Sequence, residues 1–113
     1  MKHLEHESQV KVVQHIRTFH PDCLIFSIPN GSATTPKNRL HLHKEGMMSG
    51  IPDLFVAEAK NGFNGLFIEM KTPDGIESAE QKKVRLQLNH KNYLVYVARS
   101  SETAIELIEN YLN

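Results

Sequence analysis

The chain has 113 residues, 40% of them apolar and 23% charged, enough for one compact domain over residues 1–113 and too few for two. Thirteen Lys and Arg balance thirteen Asp and Glu, so there is no bulk basic surplus of the kind a general nucleic-acid binder carries. The single cysteine excludes an internal disulfide, and no apolar run approaches the roughly 20 residues of a membrane span. With a charged opening segment that lacks an apolar signal core, the expectation is a soluble, cytoplasmic protein.

The first helix is expected over residues 3–19, where Val12, Val13, Ile16 and Phe19 recur at helical spacing. His20-Pro21-Asp22 ends it, because proline breaks the ladder and restrains the residue before it. Residues 23–28 read as a short buried strand, with Cys23 a structural thiol rather than a nucleophile. A polar loop follows at 29–35. Thr35-Pro36 has the form of a cap followed by proline at the first helical position and opens a short helix over 36–45. His41 and His43 diverge on that helix and read as surface groups. Residues 46–50 form a flexible connector in which Met47 and Met48 read as packing. Strands at 53–58 and 66–71 flank an Asn- and Gly-rich turn, the pattern of a hairpin. Ser78 and Gln81 form a capping-box pair that starts a helix running to about 90. A strand at 93–98 and an amphipathic helix at 101–112, carrying Ala104, Ile105, Leu107, Ile108 and Leu112, complete the chain. A hairpin followed by a helical crossover gives an α/β fold with a mixed central sheet flanked by helices.

Pro52-Asp53 opens the first hairpin strand, and Glu69-Met70-Lys71 closes the second. In an antiparallel pair the start of one strand lies beside the end of the next, so these residues are expected at one end of the sheet. Alternation puts Glu69 and Lys71 on one face, with Ile68 and Met70 on the other. Two carboxylates with a lysine suit phosphoryl chemistry. Asp53 and Glu69 offer the oxygen ligands that a hard cation such as Mg2+ prefers. Lys71 can orient a water or stabilise a developing anion. An isolated Glu-x-Lys is also an ordinary strand-end ion pair, worth about 0 to 1 kcal/mol, so weight falls on the full set.

Gly50-Ile51-Pro52-Asp53, then Ile68-Glu69-Met70-Lys71, then Ser78-Ala79-Glu80-Gln81 resemble the VRR-Nuc family of the PD-(D/E)XK nuclease superfamily. The resemblance runs over most of the chain. It implies a restriction-endonuclease-like α-β-β-β-α-β core and metal-dependent endonuclease activity on branched or flapped DNA. It implies Mg2+ (or Mn2+) on Asp53, Glu69 and the Met70 backbone carbonyl, and products with 5′-phosphate and 3′-hydroxyl ends. Members of this size resemble Holliday-junction resolvases and are homodimers, which points to a bacterial, phage or prophage-type origin.

The family also places a glutamate in the first helix. At about 100° per residue, Glu5 and Gln9 extend the buried face expected of Val12, Val13, Ile16 and Phe19, and Glu7 lies roughly opposite. Glu5 is therefore assigned to the site with Gln9 as its partner, and Glu7 stays as the alternative. Gln81 shares an inward stripe with Val84 and Leu88, so it has both a capping role and a water- or phosphate-orienting one. Asn30 is a candidate DNA contact, with turn chemistry as its ordinary explanation. Lys37, Arg39, Lys44 and Lys82 are the candidate backbone contacts. The rival readings are a non-catalytic DNA-binding module and a nuclease subunit active only with a partner protein.

Overall fold

The structure, a computed structural model, describes residues 2–30 and 34–113, with side chains from Glu5 onward. Positions 31–33 of the expected polar loop lie outside the described residues. Helix α1 (Lys2–Phe19) is followed by strand β1 (Ile25–Ser27), helix α2 (Pro36–Lys44), and strands β2 (Leu54–Val56) and β3 (Leu66–Met70). Helix α3 (Ala79–His90), strand β4 (Leu94–Ala98) and helix α4 (Ser101–Leu112) complete the order. The strands form one mixed sheet in the order β1-β2-β3-β4. β1–β2 and β2–β3 are antiparallel, and β3–β4 is parallel through the α3 crossover. This is the α/β architecture expected from the hairpin and crossover.

Local chemistry accounts for the element boundaries. Thr35 Oγ1 accepts the Asn38 N–H at 3.2 Å, and Pro36 stands in the first turn of α2. Ser78 and Gln81 close a complete capping box at the start of α3. Between β2 and β3 the chain reverses at Lys60–Phe63, where the two residues exchange backbone hydrogen bonds. Asn61 and Gly62 there have φ of 54° and 84°. That is the mirror-image turn whose handedness matches strand twist, and Asn-Gly is the pair that adopts it at least cost.

The core lies on one face of the sheet. Val12 and Ile16 of α1 and Ala104, Ile108 and Tyr111 of α4 pack on Ile25, Leu54, Val56, Leu66, Ile68 and Met70. Phe55 stacks on Phe67 at 4.4 Å, and Tyr93 meets both edge-on. β3, with a neighbour on each side, is buried along its whole length.

Three expectations need correction. The stretch 23–28 is not a fully buried strand: β1 is three residues long, and only Ile25 of it is buried, with Leu24 and Phe26 exposed. It is an edge strand, so one of its faces remains in water. Phe19 does not belong to the buried face of α1. It is 66% exposed and packs its ring on His15 at 4.7 Å, because the last turn runs past the sheet. Connector 46–50 is anchored rather than free. Gly50 has φ +90°, and a Cβ there would stand 2.6 Å from the Glu80 carbonyl oxygen, so the connector docks against the first turn of α3. Within it Met47 is half-buried as expected, whereas Met48 is 55% exposed.

Two further ties fix the layers. His15 Nε2 lies 3.1 Å from Glu109 Oε2, and His20 Nε2 meets the other oxygen of the same carboxylate, which joins α1 to α4. Asn61 Nδ2 donates to the Tyr111 carbonyl at 2.9 Å, and Tyr111 Oη donates to the Glu58 carbonyl, which joins α4 to the hairpin. No helix among the described residues is long and apolar enough to cross a membrane.

Candidate active site

The β2–β3 register, Leu54 opposite Ile68, sets Asp53 beside the end of β3. The Asp53 N–H donates to the Ile68 carbonyl at 3.1 Å, and the Met70 N–H donates to Asp53 Oδ2 at 2.7 Å. The carboxylate is thus held by backbone at both ends of its residue. In extended backbone a residue's N–H and C=O point to the same side, which puts the Met70 carbonyl on the Asp53 side of β3. Lys71, one step further, is pinned through its N–H to the Ala98 carbonyl at 2.8 Å. The loop after it is clasped by Arg99, whose guanidinium donates to the carbonyls of Thr72, at 3.1 Å, and Gly75.

Glu69 is 6% exposed. Gln81 Nε2 donates to Glu69 Oε2 at 3.1 Å, while Gln81 Oε1 accepts the Ser78 N–H at 2.8 Å. An amide has one donor end and one acceptor end. Its use as the acceptor half of the capping box therefore aims the NH2 group at the carboxylate: the capping role expected of Gln81 is present, and the other end of the amide orients Glu69.

Burial pushes the Glu69 carboxyl up to about 9, helped by the charge of Asp53 and a hydrogen bond to it. Lys71 pulls the other way, and Glu5 is close enough to raise it further. At neutral pH the carboxyl pair therefore keeps a proton that a divalent cation would displace. The donor set fits a hard cation: two carboxylates with a backbone carbonyl beside them, all oxygen. Among the described residues no three His, Cys, Asp or Glu side chains form a closed cage. A pair of carboxylates with open positions for water is the arrangement Mg2+ favours, since it dehydrates reluctantly.

These groups floor a cleft of about 740 Å³. Glu5, His6, Gln9, Val13, Gln14 and Arg17 of α1 form one wall, and Ser27, Ile28, Pro29 and Asn30 the other. Glu5, Gln9, Asn30, Asp53, Glu69, Met70, Lys71 and Gln81 all border this space. Asn30 lies three residues past the end of β1. Glu7 is exposed and outside the cleft. Lys37, Arg39 and Lys44 on α2 and Lys82 on α3 do not border it either, and Arg39 donates to the Thr34 carbonyl at 3.4 Å. His41 and His43 are exposed. The Cys23 thiol, half-buried, is pushed up by burial and by Glu58, which keeps it protonated and unreactive. Arg17 and Gln14 were missed in the sequence. The four-residue spacing of Glu5, Gln9, Val13 and Arg17 was the signal that could have found Arg17.

The VRR-NUC domain model matches residues 4–102. Among solved structures, a VRR_NUC domain protein is similar at a TM-score of 0.82 and 23% identity, covering 96% of this chain and 88% of that one. At that identity the likeness speaks for the fold. Comparison with curated proteins gives no match. The family match takes in α1 from before Glu5, the Asp53 and Glu69-Met70-Lys71 strands and the capping box with Gln81, and so the chain belongs to the VRR-NUC family of nuclease domains.

Proposed function

We propose that this nuclease-family domain is a Mg2+-dependent endonuclease that hydrolyses DNA phosphodiester bonds, acting on branched substrates such as junctions or flaps. The observation that carries the reading is the buried Glu69 carboxyl, paired with Asp53 and held by Gln81, on the floor of an open cleft that also presents Lys71. Asp53, Glu69 and the Met70 carbonyl would hold Mg2+, with Mn2+ as a substitute. When bound, such a cation lowers the pKa of water and offsets charge on the phosphate oxygens. Asp53 stays oriented through the Met70 N–H, and Glu69 through the Gln81 amide. The Lys71 ammonium orients the attacking water and stabilises the anion that develops on phosphorus. Glu5, at the mouth of the pair, adds a third carboxylate to accept a proton or support a water, and Gln9 and Asn30 line the approach. Water is the nucleophile and no covalent enzyme intermediate forms, leaving 5′-phosphate and 3′-hydroxyl ends.

A homodimer is part of this proposal: paired cuts across a junction need two sites, and one chain offers one. Lys37, Arg39, Lys44 and Lys82, away from the cleft, would meet the duplex arms.

Cleavage of labelled junction, flap, splayed and linear DNA by the purified chain, with Mg2+ and with chelator, tests this. Asp53→Ala, Glu69→Ala and Lys71→Ala are each expected to lower the rate at least a hundredfold while keeping the circular dichroism of the parent. Cleavage that survives the chelator removes the metal. Cleavage that survives a substitution removes that residue. Light scattering on the same sample reads the oligomeric state.

A further inference from the structure

The cleft continues well past the carboxylates. Glu5, Gln9, Val13 and Arg17 follow one another at four-residue intervals on its α1 wall, a spacing that keeps side chains on one slowly turning stripe. At 1.5 Å rise per residue, Arg17 stands about 18 Å along the helix from Glu5. The two ends of the cleft differ in charge. Glu5, Asp53 and Glu69 crowd one end around Lys71, and Arg17 brings the next permanent positive charge at the other.

Arg17 is exposed yet anchored. Its Nη2 donates to the Ile25 carbonyl at 3.0 Å. That carbonyl faces the open side of the edge strand, since Leu24 and Ile28 make the bonds to the β2 side. A guanidinium has five N–H donors in a planar fork. The other donors have no partner among the described residues, which leaves them open on the cleft wall. That geometry matches the paired oxygens of a phosphate.

We propose that Arg17, with Gln14 beside it, is a phosphate-binding subsite that takes a backbone phosphate of the bound strand remote from the one presented to Asp53, Glu69 and Lys71. It rests on the nuclease reading above. The chain has no net charge, so affinity for a polyanion must come from cations placed where the strand runs. The cleft, about 740 Å³ and open to solvent, has room for a few nucleotides of one strand. On a single strand, the contribution of the subsite depends on the strand being long enough to reach it.

The test is binding of fluorescent oligothymidylates of two and ten nucleotides to the full chain carrying Asp53→Ala, across a KCl series, with cleavage kinetics in the otherwise native chain. Arg17→Gln removes the charge and keeps a neutral polar side chain. It is expected to weaken the ten-nucleotide probe roughly tenfold, and the two-nucleotide probe less. It should also make the slope of log affinity against log salt shallower by roughly 0.7, one phosphate contact on a single strand. In cleavage the loss appears in KM rather than kcat. Arg17→Lys restores the slope. Gln14→Lys, which adds a cation without touching the Ile25 anchor, tightens the long probe and steepens the slope by about the same amount. An unchanged slope and affinity in Arg17→Gln, or in Gln14→Lys should the first variant not fold, overturns the subsite while wild-type cleavage leaves the nuclease reading standing. A wild-type chain that neither binds nor cuts any nucleic acid overturns both.

Discussion

Glu69 is the residue on which burial and chemistry conflict most directly. A carboxyl that is 6% exposed beside Asp53 favours its neutral form, and its value rises to about 9 through burial first and Asp53 second. The folded, metal-free chain then binds a proton that the unfolded chain releases above the ordinary carboxylate value of 4.5. Where the folded state holds the extra proton, stability falls as pH rises. The wild-type chain without metal should therefore lose thermal stability between about pH 5 and pH 9 more steeply than Glu69→Gln, the neutral isostere of the protonated group. Melting curves in chelator across that range check this, and parallel curves for the two proteins would show that Glu69 is ionised in the fold. The same proton competes with cation binding. At subsaturating Mg2+, activity of the wild-type chain is expected to climb with pH toward 9.

At the scale of elements, the site is an assembly of ends: the start of β2, the end of β3, the first turn of α3 and the first half of α1. Gly50 sets how two of them meet. Its φ of +90°, and the 2.6 Å that would separate an added Cβ from the Glu80 carbonyl oxygen, leave no room for a side chain. Gly50→Ala is expected to cost about 1 to 3 kcal/mol. It should also lower activity beyond what stability explains, because the first turn of α3 carries Gln81 and hence the orientation of Glu69. Urea unfolding and cleavage rates on one preparation separate the two effects. The clasp between α1 and α4 behaves differently. Hydrogen bonds from His15 and His20 hold the Glu109 carboxyl below its usual range, so its contribution is present above that range and is lost as pH falls through the lowered value. Glu109→Gln is expected to lower the melting temperature at pH 6, by an amount that shrinks as the pH falls through the lowered value.

The eight elements were legible in order, because caps, breakers and alternation each marked a boundary: Thr35-Pro36, Ser78 with Gln81, and Asn61-Gly62 all do in the structure what their residue types require. The hairpin pattern alone made Asp53 and Glu69 neighbours. Hidden from sequence were properties that depend on who is opposite. The solvent exposure of β1 follows from its place at the sheet edge, and the exposure of Phe19 from where α1 overruns the sheet. The anchoring of Gly50 needs the α3 backbone beside it, and the clasp of Arg99 on the loop after β3 needs the parallel pairing of β3 with β4. Helical phase could separate Glu5 from Glu7, since that is a property of α1 alone. It could not show that the cleft runs on to Arg17, because the opposite wall is built by residues 27–30.

For the whole molecule, zero net charge divides substrate contacts into two sets. The cleft has Lys71 and Arg17, whereas Lys37, Arg39 and Lys44 stand on α2, which contains no buried residue and packs against no other element among the described residues. A helix so placed is suited to meet a duplex arm outside the cleft; Lys37 and Lys44 are exposed on it, whereas Arg39 is half-buried and donates to the Thr34 carbonyl. Replacing Lys37, Arg39 and Lys44 together by Ala is therefore expected to weaken binding of a branched duplex and to make its salt slope shallower by roughly 0.9 for each phosphate that α2 no longer neutralises. Affinity for a ten-nucleotide single strand should hold. Anisotropy titrations of both probes in KCl distinguish the cases. Equal weakening on the two probes would place α2 on the strand that enters the cleft, and unchanged binding of both would leave branch recognition to a second copy of the chain or to another protein.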